Sequence, residues 1–173
     1  MSHLKNLVTI NLSQNCISKI EGLAGLDQLL NLDLSSNILS DTESCHELLF
    51  LPALSNLDLK NNQIDDREKI VPFFSRLQSL QALYLKGNPC IRFISKYRKT
   101  LTANIRSLHY LDDRPVFEIE RLSADAWLRG GEEEEKRVRL EYGEKKRQQQ
   151  KGFSTFAKHH IEEGKRRRKA ELQ

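Results

Sequence analysis

The chain has 173 residues, of which 38% are hydrophobic, 30% charged and 7% aromatic, enough for one domain or a smaller one with an appendage. Its net charge of +4 comes from 28 basic and 24 acidic residues, a mixture of signs that excludes the dense positive surface needed to grip phosphates. The charge is uneven, since 15 of the basic and 12 of the acidic residues follow Pro115, in the last third. Met1 to Leu12 lacks the apolar stretch of a signal peptide and no run approaches a membrane span, so a soluble, intracellular protein is expected.

From Leu7 onward a pattern repeats. Four asparagines, Asn15, Asn37, Asn62 and Asn88, follow one another at intervals of 22, 25 and 26 residues. Each closes the same apolar spacing: Leu7, Ile10 and Leu12; Leu29, Leu32 and Leu34; Leu54, Leu57 and Leu59; Leu80, Leu83 and Leu85. Two residues beyond each asparagine stands Ile17, Leu39, Ile64 or Cys90. A five-position pattern met four times at this period is that of leucine-rich repeats. In each unit the apolar pair separated by one residue lies on one face of a short strand. One such strand cannot bury its face alone, but stacked units pair their strands in parallel and share a leucine core. The asparagine amide can both donate and accept, so it is expected to tie neighbouring coils together where the chain leaves the strand.

Return segments complete the coils. Ile20, Leu23, Leu26 and Leu29 recur every third residue, as do Leu48, Leu51 and Leu54, which suits tight 3₁₀ turns. Ile70, Phe73 and Leu77 predict a longer helical return, interrupted near Pro72. The three cysteines form no CxxC and cannot all pair with one another, so reduced thiols are expected, Cys90 being a small core hydrophobe.

After Asn88 the periodicity changes to that of a cap. Ile94, Tyr97, Leu101 and Ile105 fall on one helical face, with Lys96, Arg98 and Lys99 expected to stay in water. Leu108 and Leu111 tuck against the last coil before an Asp112–Asp113 turn. At the other end Met1 to Leu4 enters the repeat at once, which suggests an N-terminally shortened solenoid or an unusually short cap. The expected divisions are four repeat units over 1–90, a cap over 91–115 and a charged tail, helical or disordered, over 116–173.

In the tail, Ile119, Leu122 and Trp127 predict an apolar stripe and Gly130–Gly131 a break. Beyond it Glu132–Lys136, Glu133–Arg137 and Glu135–Arg139 are acid-before-base pairs four apart. The run Lys165 to Lys169 reads as the solvated end of a charged helix, with a nuclear-import or nucleic-acid contact as the alternative.

The expected fold is an α/β leucine-rich-repeat solenoid with parallel strands on its concave face. Outward strand positions then form rows: Thr9, Asn31, Asn56 and Ala82; Asn11, Asp33, Asp58 and Tyr84; Ser13, Ser35, Lys60 and Lys86. From these, Asn11, Asp33, Asn56, Asp58, Lys60, Tyr84 and Lys86 are the candidate protein-binding residues, with Tyr84 and Asp58 foremost as anchors. The alternative is that they are solvent-facing strand residues. No histidine converges on the acids and no glycine loop cradles phosphate, so neither catalysis nor a cofactor or metal is expected.

The cap resembles that of a leucine-rich-repeat subfamily containing a protein phosphatase regulator and the spliceosomal U2A-prime protein. A closer resemblance lies between Asn88 and Gly131, in Asn88-Pro89-Cys90, Tyr97-Arg98-Lys99, Tyr110-Leu111-Asp112-Asp113-Arg114-Pro115-Val116-Phe117 and Ala126-Trp127-Leu128-Arg129-Gly130-Gly131. These strings resemble the cap and following segment of the leucine-rich-repeat dynein axonemal assembly factors. The resemblance implies a non-catalytic, monomeric cytoplasmic scaffold that helps to assemble dynein arms for cilia or flagella, with dynein subunits or their chaperones as partners. A phosphatase-binding subunit and a ribonucleoprotein component are the other roles the cap resemblance implies, although the charge pattern gives no reason to expect nucleic acid or membrane. The resemblance implies more repeats than four and a long C-terminal region, so partner surface on further coils is expected to lie outside these repeats.

Overall fold

The computed structural model describes residues 5–171, apart from the side chains of 153–159, 162 and 165–171. Two compact units divide the chain, Met1–Ala124 and Asp125–Gln173. In the first, strands β1 (Thr9–Asn11), β2 (Asn31–Asp33), β3 (Asn56–Asp58) and β4 (Ala82–Tyr84) lie in sequence order and pair in parallel. Their register sets Thr9, Asn31, Asn56 and Ala82 side by side, and likewise Asn11, Asp33, Asp58 and Tyr84. These are the rows expected from alternation.

The leucine spacing produces the core. Leu29, Leu32, Leu34, Leu54, Leu57, Leu59, Leu80, Leu83 and Leu85 are all buried. Each fully buried leucine contributes about 1.5–3 kcal/mol relative to an exposed one. The first coil packs less completely, with Ile10, Leu12 and Ile17 only half-buried.

The returns differ by coil. In the first, successive bonds from Leu26 N–H to Leu23 O and Leu29 N–H to Leu26 O hold tight turns, leaving Ile20, Leu23, Leu26 and Leu29 inside. The second has a 3₁₀ helix, His46–Phe50. The third has α1 (Ile70–Ser75), which buries Ile70, Phe73 and Phe74. Pro72 does not interrupt it. The proline stands in the first turn, where a missing N–H and a fixed φ are tolerated.

The asparagines form the expected ladder. Asn62 Nδ2 donates to Leu34 O at 3.0 Å and Leu59 O at 3.1 Å, while its Oδ1 accepts from Leu39 N at 3.1 Å. Asn37 serves Leu12, Leu34 and Ile17, and Asn88 serves Leu59, Leu85 and Ile64, in the same way. Each of the three therefore joins its own coil to the preceding one. Among the described residues Asn15 donates only within its own coil, to Leu12 and Ser13. The residue before each asparagine takes a positive φ: Gln14, Ser36, Asn61 and Gly87. At Gly87 the space is closed, because a Cβ there would stand 2.3 Å from Asn61 Oδ1.

The cap is more elaborate than expected. A 3₁₀ helix (Pro89–Phe93) is followed by α2 (Tyr97–Asn104), which Lys96 opens with a φ of 46°. Two further strands then extend the sheet: β5 (Tyr110–Leu111), parallel to β4, and β6 (Arg114–Pro115), antiparallel to β5. Arg98 is not left in water. Its guanidinium donates to Leu111 O at 3.0 Å, Pro115 O at 2.6 Å and the Glu120 carboxylate, fastening α2 to both cap strands.

Helix α3 (Glu118–Glu171) begins in the first unit, where Arg121 donates to the Thr102, Ile105 and Leu108 carbonyls at the end of α2. Ser123 and Ala124 are the buried residues here, and Leu122 is exposed. The expected stripe thus fails at Leu122, because the helix turns its small side chains inward.

The described residues of the second unit are helical except at Gly130 and Gly131, whose non-helical angles separate two helices. Among the ion pairs, Arg139–Glu135 falls four apart as expected. Lys136 and Arg137 instead reach Glu133 and Glu134, three apart, at 2.8 and 2.6 Å. The side chains of Lys165 to Lys169 lie outside the described residues. Among the described residues no helix is long and apolar enough to cross a membrane.

Candidate protein-binding surface

Strand alternation sends Ile10, Leu32, Leu57 and Leu83 into the core and leaves their neighbours on the open sheet face. Along the central row, each acceptor side chain first serves its own coil. Asn11 Oδ1 accepts from Ser13 N, Asp33 Oδ1 from Ser35 N and Asp58 Oδ1 from Lys60 N, all at 2.9 Å. These bonds fix the turn that leaves each strand, so the two acids are part of the coil as well as of the surface.

Tyr84 occupies the fourth place in that row and has no carboxylate to offer Lys86 N. Asp112, from the cap, supplies it instead: its Oδ1 accepts from Leu85 N at 2.8 Å and Lys86 N at 3.0 Å. Its Oδ2 accepts from the Tyr97 hydroxyl at 3.1 Å. Burial and this acidic neighbour hold the Tyr97 phenol well above its usual range.

Around Tyr84 the sheet face gathers charge and aromatic surface. Lys60 Nζ lies 3.2 Å from Asp58 Oδ2 and 5.0 Å from the Tyr84 ring centroid. The hydrogen bond to Asp58 raises the Lys60 pKa, and burial, Tyr110 and Asp58 raise that of Tyr84. Tyr110 stands 6.4 Å from Tyr84, centroid to centroid, and is exposed. Such a cluster offers a partner both stacking area and a fixed charge.

The structure brings Asp58, Lys60 and Tyr84 together. Asn56 belongs to a different string, donating to Asn31 Oδ1 at 2.5 Å while Asn31 donates to Thr9 Oγ1 at 3.0 Å. Asn11 accepts from Ser13, and Lys86 turns to Asp113 at 3.4 Å. Sequence reasoning missed Tyr110 and Asp112 as parts of this surface. A signal was present: Leu108 and Leu111 repeat the spacing of Leu80 and Leu83, 28 residues later.

Cys45 and Cys90 are buried and Cys16 is exposed. Burial pushes the Cys45 thiol up to about 12 and that of Cys90 to about 11. Neither is a nucleophile at neutral pH.

The leucine-rich repeat family model matches residues 2–139. The chain is 46% identical over 112 residues to the dynein axonemal assembly factor 1 homolog of Drosophila melanogaster, covering 65% of this chain and 8% of that protein. It is 43% identical over 114 residues to the leucine-rich repeat-containing protein ODA7 of Chlamydomonas reinhardtii, covering 66% of this chain and 26% of that one. Human dynein axonemal assembly factor 1 is 44% identical over 91 residues, 53% of this chain and 12% of that protein. The chain thus spans between 8% and 26% of the length of these relatives. Among solved structures, the Drosophila melanogaster SNF/U2A′ complex matches with a TM-score of 0.64 and 24% identity, over 74% of this chain and 72% of that one. An internalin from Listeria monocytogenes matches with a TM-score of 0.51 and 23% identity, over 72% of this chain and 34% of that one. Both are likenesses of fold. The chain belongs to the leucine-rich-repeat family, and it is similar over 112 and 91 residues to relatives named dynein axonemal assembly factor 1.

Proposed function

We propose that this chain is a non-catalytic protein-binding module that acts in the cytoplasmic assembly of axonemal dynein arms, and that it engages its partner through the open sheet face. The observation that carries the reading is the 44–46% identity to relatives named dynein axonemal assembly factor 1 in fly and human. The physical form agrees with a binding role. Four parallel strands at about 4.8 Å spacing present a face roughly 15 Å across, suited to a helix or loop of another protein. Its candidate contacts are Asn11, Asp33, Asn56, Asp58, Lys60, Tyr84 and Lys86, and Tyr110 joins them beside Tyr84.

The direct partner is a dynein subunit or a chaperone acting on one. The likeness to U2A′ is one of fold and supports no ribonucleoprotein role, and no feature of the sheet face favours a phosphatase over another protein. The test is deletion of the gene in a cell with motile cilia or flagella, followed by electron microscopy of axoneme cross-sections. Missing or shortened dynein arms, restored by the reintroduced gene, are expected. Normal arms and normal beating would remove the reading.

A further inference from the structure

Asp33 and Asp58 occupy the same register position on neighbouring strands, yet their outer oxygens meet different fates. In the third coil Lys60 supplies an ammonium that lies 3.2 Å from Asp58 Oδ2 and 5.0 Å from the Tyr84 ring centroid. In the second coil the place of Lys60 is taken by Ser35, whose hydroxyl donates at 2.7 Å to the inner oxygen, Oδ1. Among the described residues Asp33 has no ion-pair partner. It is half-buried. Beside it the sheet face dips into a depression of about 170 Å³ lined by Leu32, Leu57, Asp33, Asp58 and Tyr84 among others. The fold therefore shows, one coil away, which chemistry completes this position: a cation reaching the second carboxylate oxygen while lying against the sheet.

We infer that Asp33 receives an arginine or lysine side chain of a polypeptide partner, in the position that Lys60 holds at Asp58. This rests on the protein-binding reading above and specifies its partner as a segment with a protruding basic residue. The neighbouring depression accommodates the aliphatic stem, and Tyr84 closes one side of it.

The test is a titration of the full chain, labelled for NMR, with Nα-acetylarginine amide as the probe and Nα-acetylglutamine amide as the uncharged control. The arginine probe is expected to shift resonances of Asp33, Ser35 and Tyr84 at millimolar concentration, with the effect fading as salt rises. Asp33→Asn keeps the inner acceptor for Ser35 and removes the charge. Ser35→Lys fills the position from within, as the third coil already does. Each is expected to weaken the probe roughly twofold to fivefold without altering the fold. Equal shifts from the two probes, or a Ser35→Lys chain that responds like the parent, would overturn the inference. Failure here with dynein arms still dependent on the gene removes this inference alone. Normal arms after deletion, with the arginine response intact, removes the functional reading instead.

Discussion

Asn62 shows how much one side chain does in this architecture. Its amide serves backbone groups of Leu34, Leu39 and Leu59 out of reach of water, so Asn62→Ala leaves several without that partner. The expected cost is about 2–4 kcal/mol. Asn15→Ala, at the exposed start of the ladder, is expected to cost no more than about 0.5 kcal/mol. Urea midpoints of the two variants check the contrast, and equal shifts would show that the ladder does not tie coils together. Gly87→Ala is expected to destabilise by more than about 1 kcal/mol, since it combines a φ of 88° with a Cβ driven into Asn61. The buried thiols add a pH dependence. Their folded values, about 12 for Cys45 and about 11 for Cys90, exceed the ordinary 9.0, so the folded chain keeps protons that the unfolded chain releases. That contribution is whole below pH 9 and is lost as the pH rises towards 11 and 12. Thermal melts should show stability falling across this alkaline window, with Cys45→Ala flattening part of the slope; an unchanged slope would contradict the assignment. At this scale the asparagines and leucines were legible because their period is regular. The positive φ values of Gln14, Ser36 and Asn61 were not, because at none of them does a glycine mark the turn.

Among the elements, the cap departs furthest from expectation. Strand β5 keeps only Leu108 and Leu111 of the repeat pattern, and Asp113 stands where the third leucine would be. A two-residue strand with a broken signature reads as a loop until a neighbour is there to pair with it. The helical wheel of α2 correctly placed Leu101 and Ile105 inside, and both are buried. It could not show that Arg98 has a partner, since Glu120 and the Leu111 and Pro115 carbonyls come from later in the chain. Removing the Arg98 guanidinium withdraws donors from all three at once. Arg98→Ala is therefore expected to cost about 2–3 kcal/mol, as charge-assisted bonds do. Exposed Arg92→Ala should be close to neutral. Hydrogen exchange offers the finer check: amides of β5, and of Val116 bonded to His109, should lose protection in Arg98→Ala before those of β2 and β3. Uniform loss across the sheet would mean that the cap is not fastened by this residue.

At the scale of the whole molecule, stacking makes each coil the cover of its neighbour, so the sheet face exists only because the leucine spine beneath it is continuous. The fold class was legible for that reason, since a period of 22 to 26 residues with fixed apolar positions admits few other solutions. The surface was legible only in part. Alternation named the outward rows, but it could not tell which acid is ion-paired within its own coil, as Asp58 is with Lys60, or which has no ion-pair partner among the described residues, as is the case for Asp33. The sheet face is the proposed working surface. The most direct measurement is rescue of dynein arms, in motile cells lacking the gene, by the parent gene, by Tyr84→Ala, and by Phe50→Ser in the second return segment, each product confirmed folded by its melting curve. The parent and Phe50→Ser are expected to restore arms and Tyr84→Ala to fail. Full restoration by Tyr84→Ala, or failure of Phe50→Ser alone, would contradict the account.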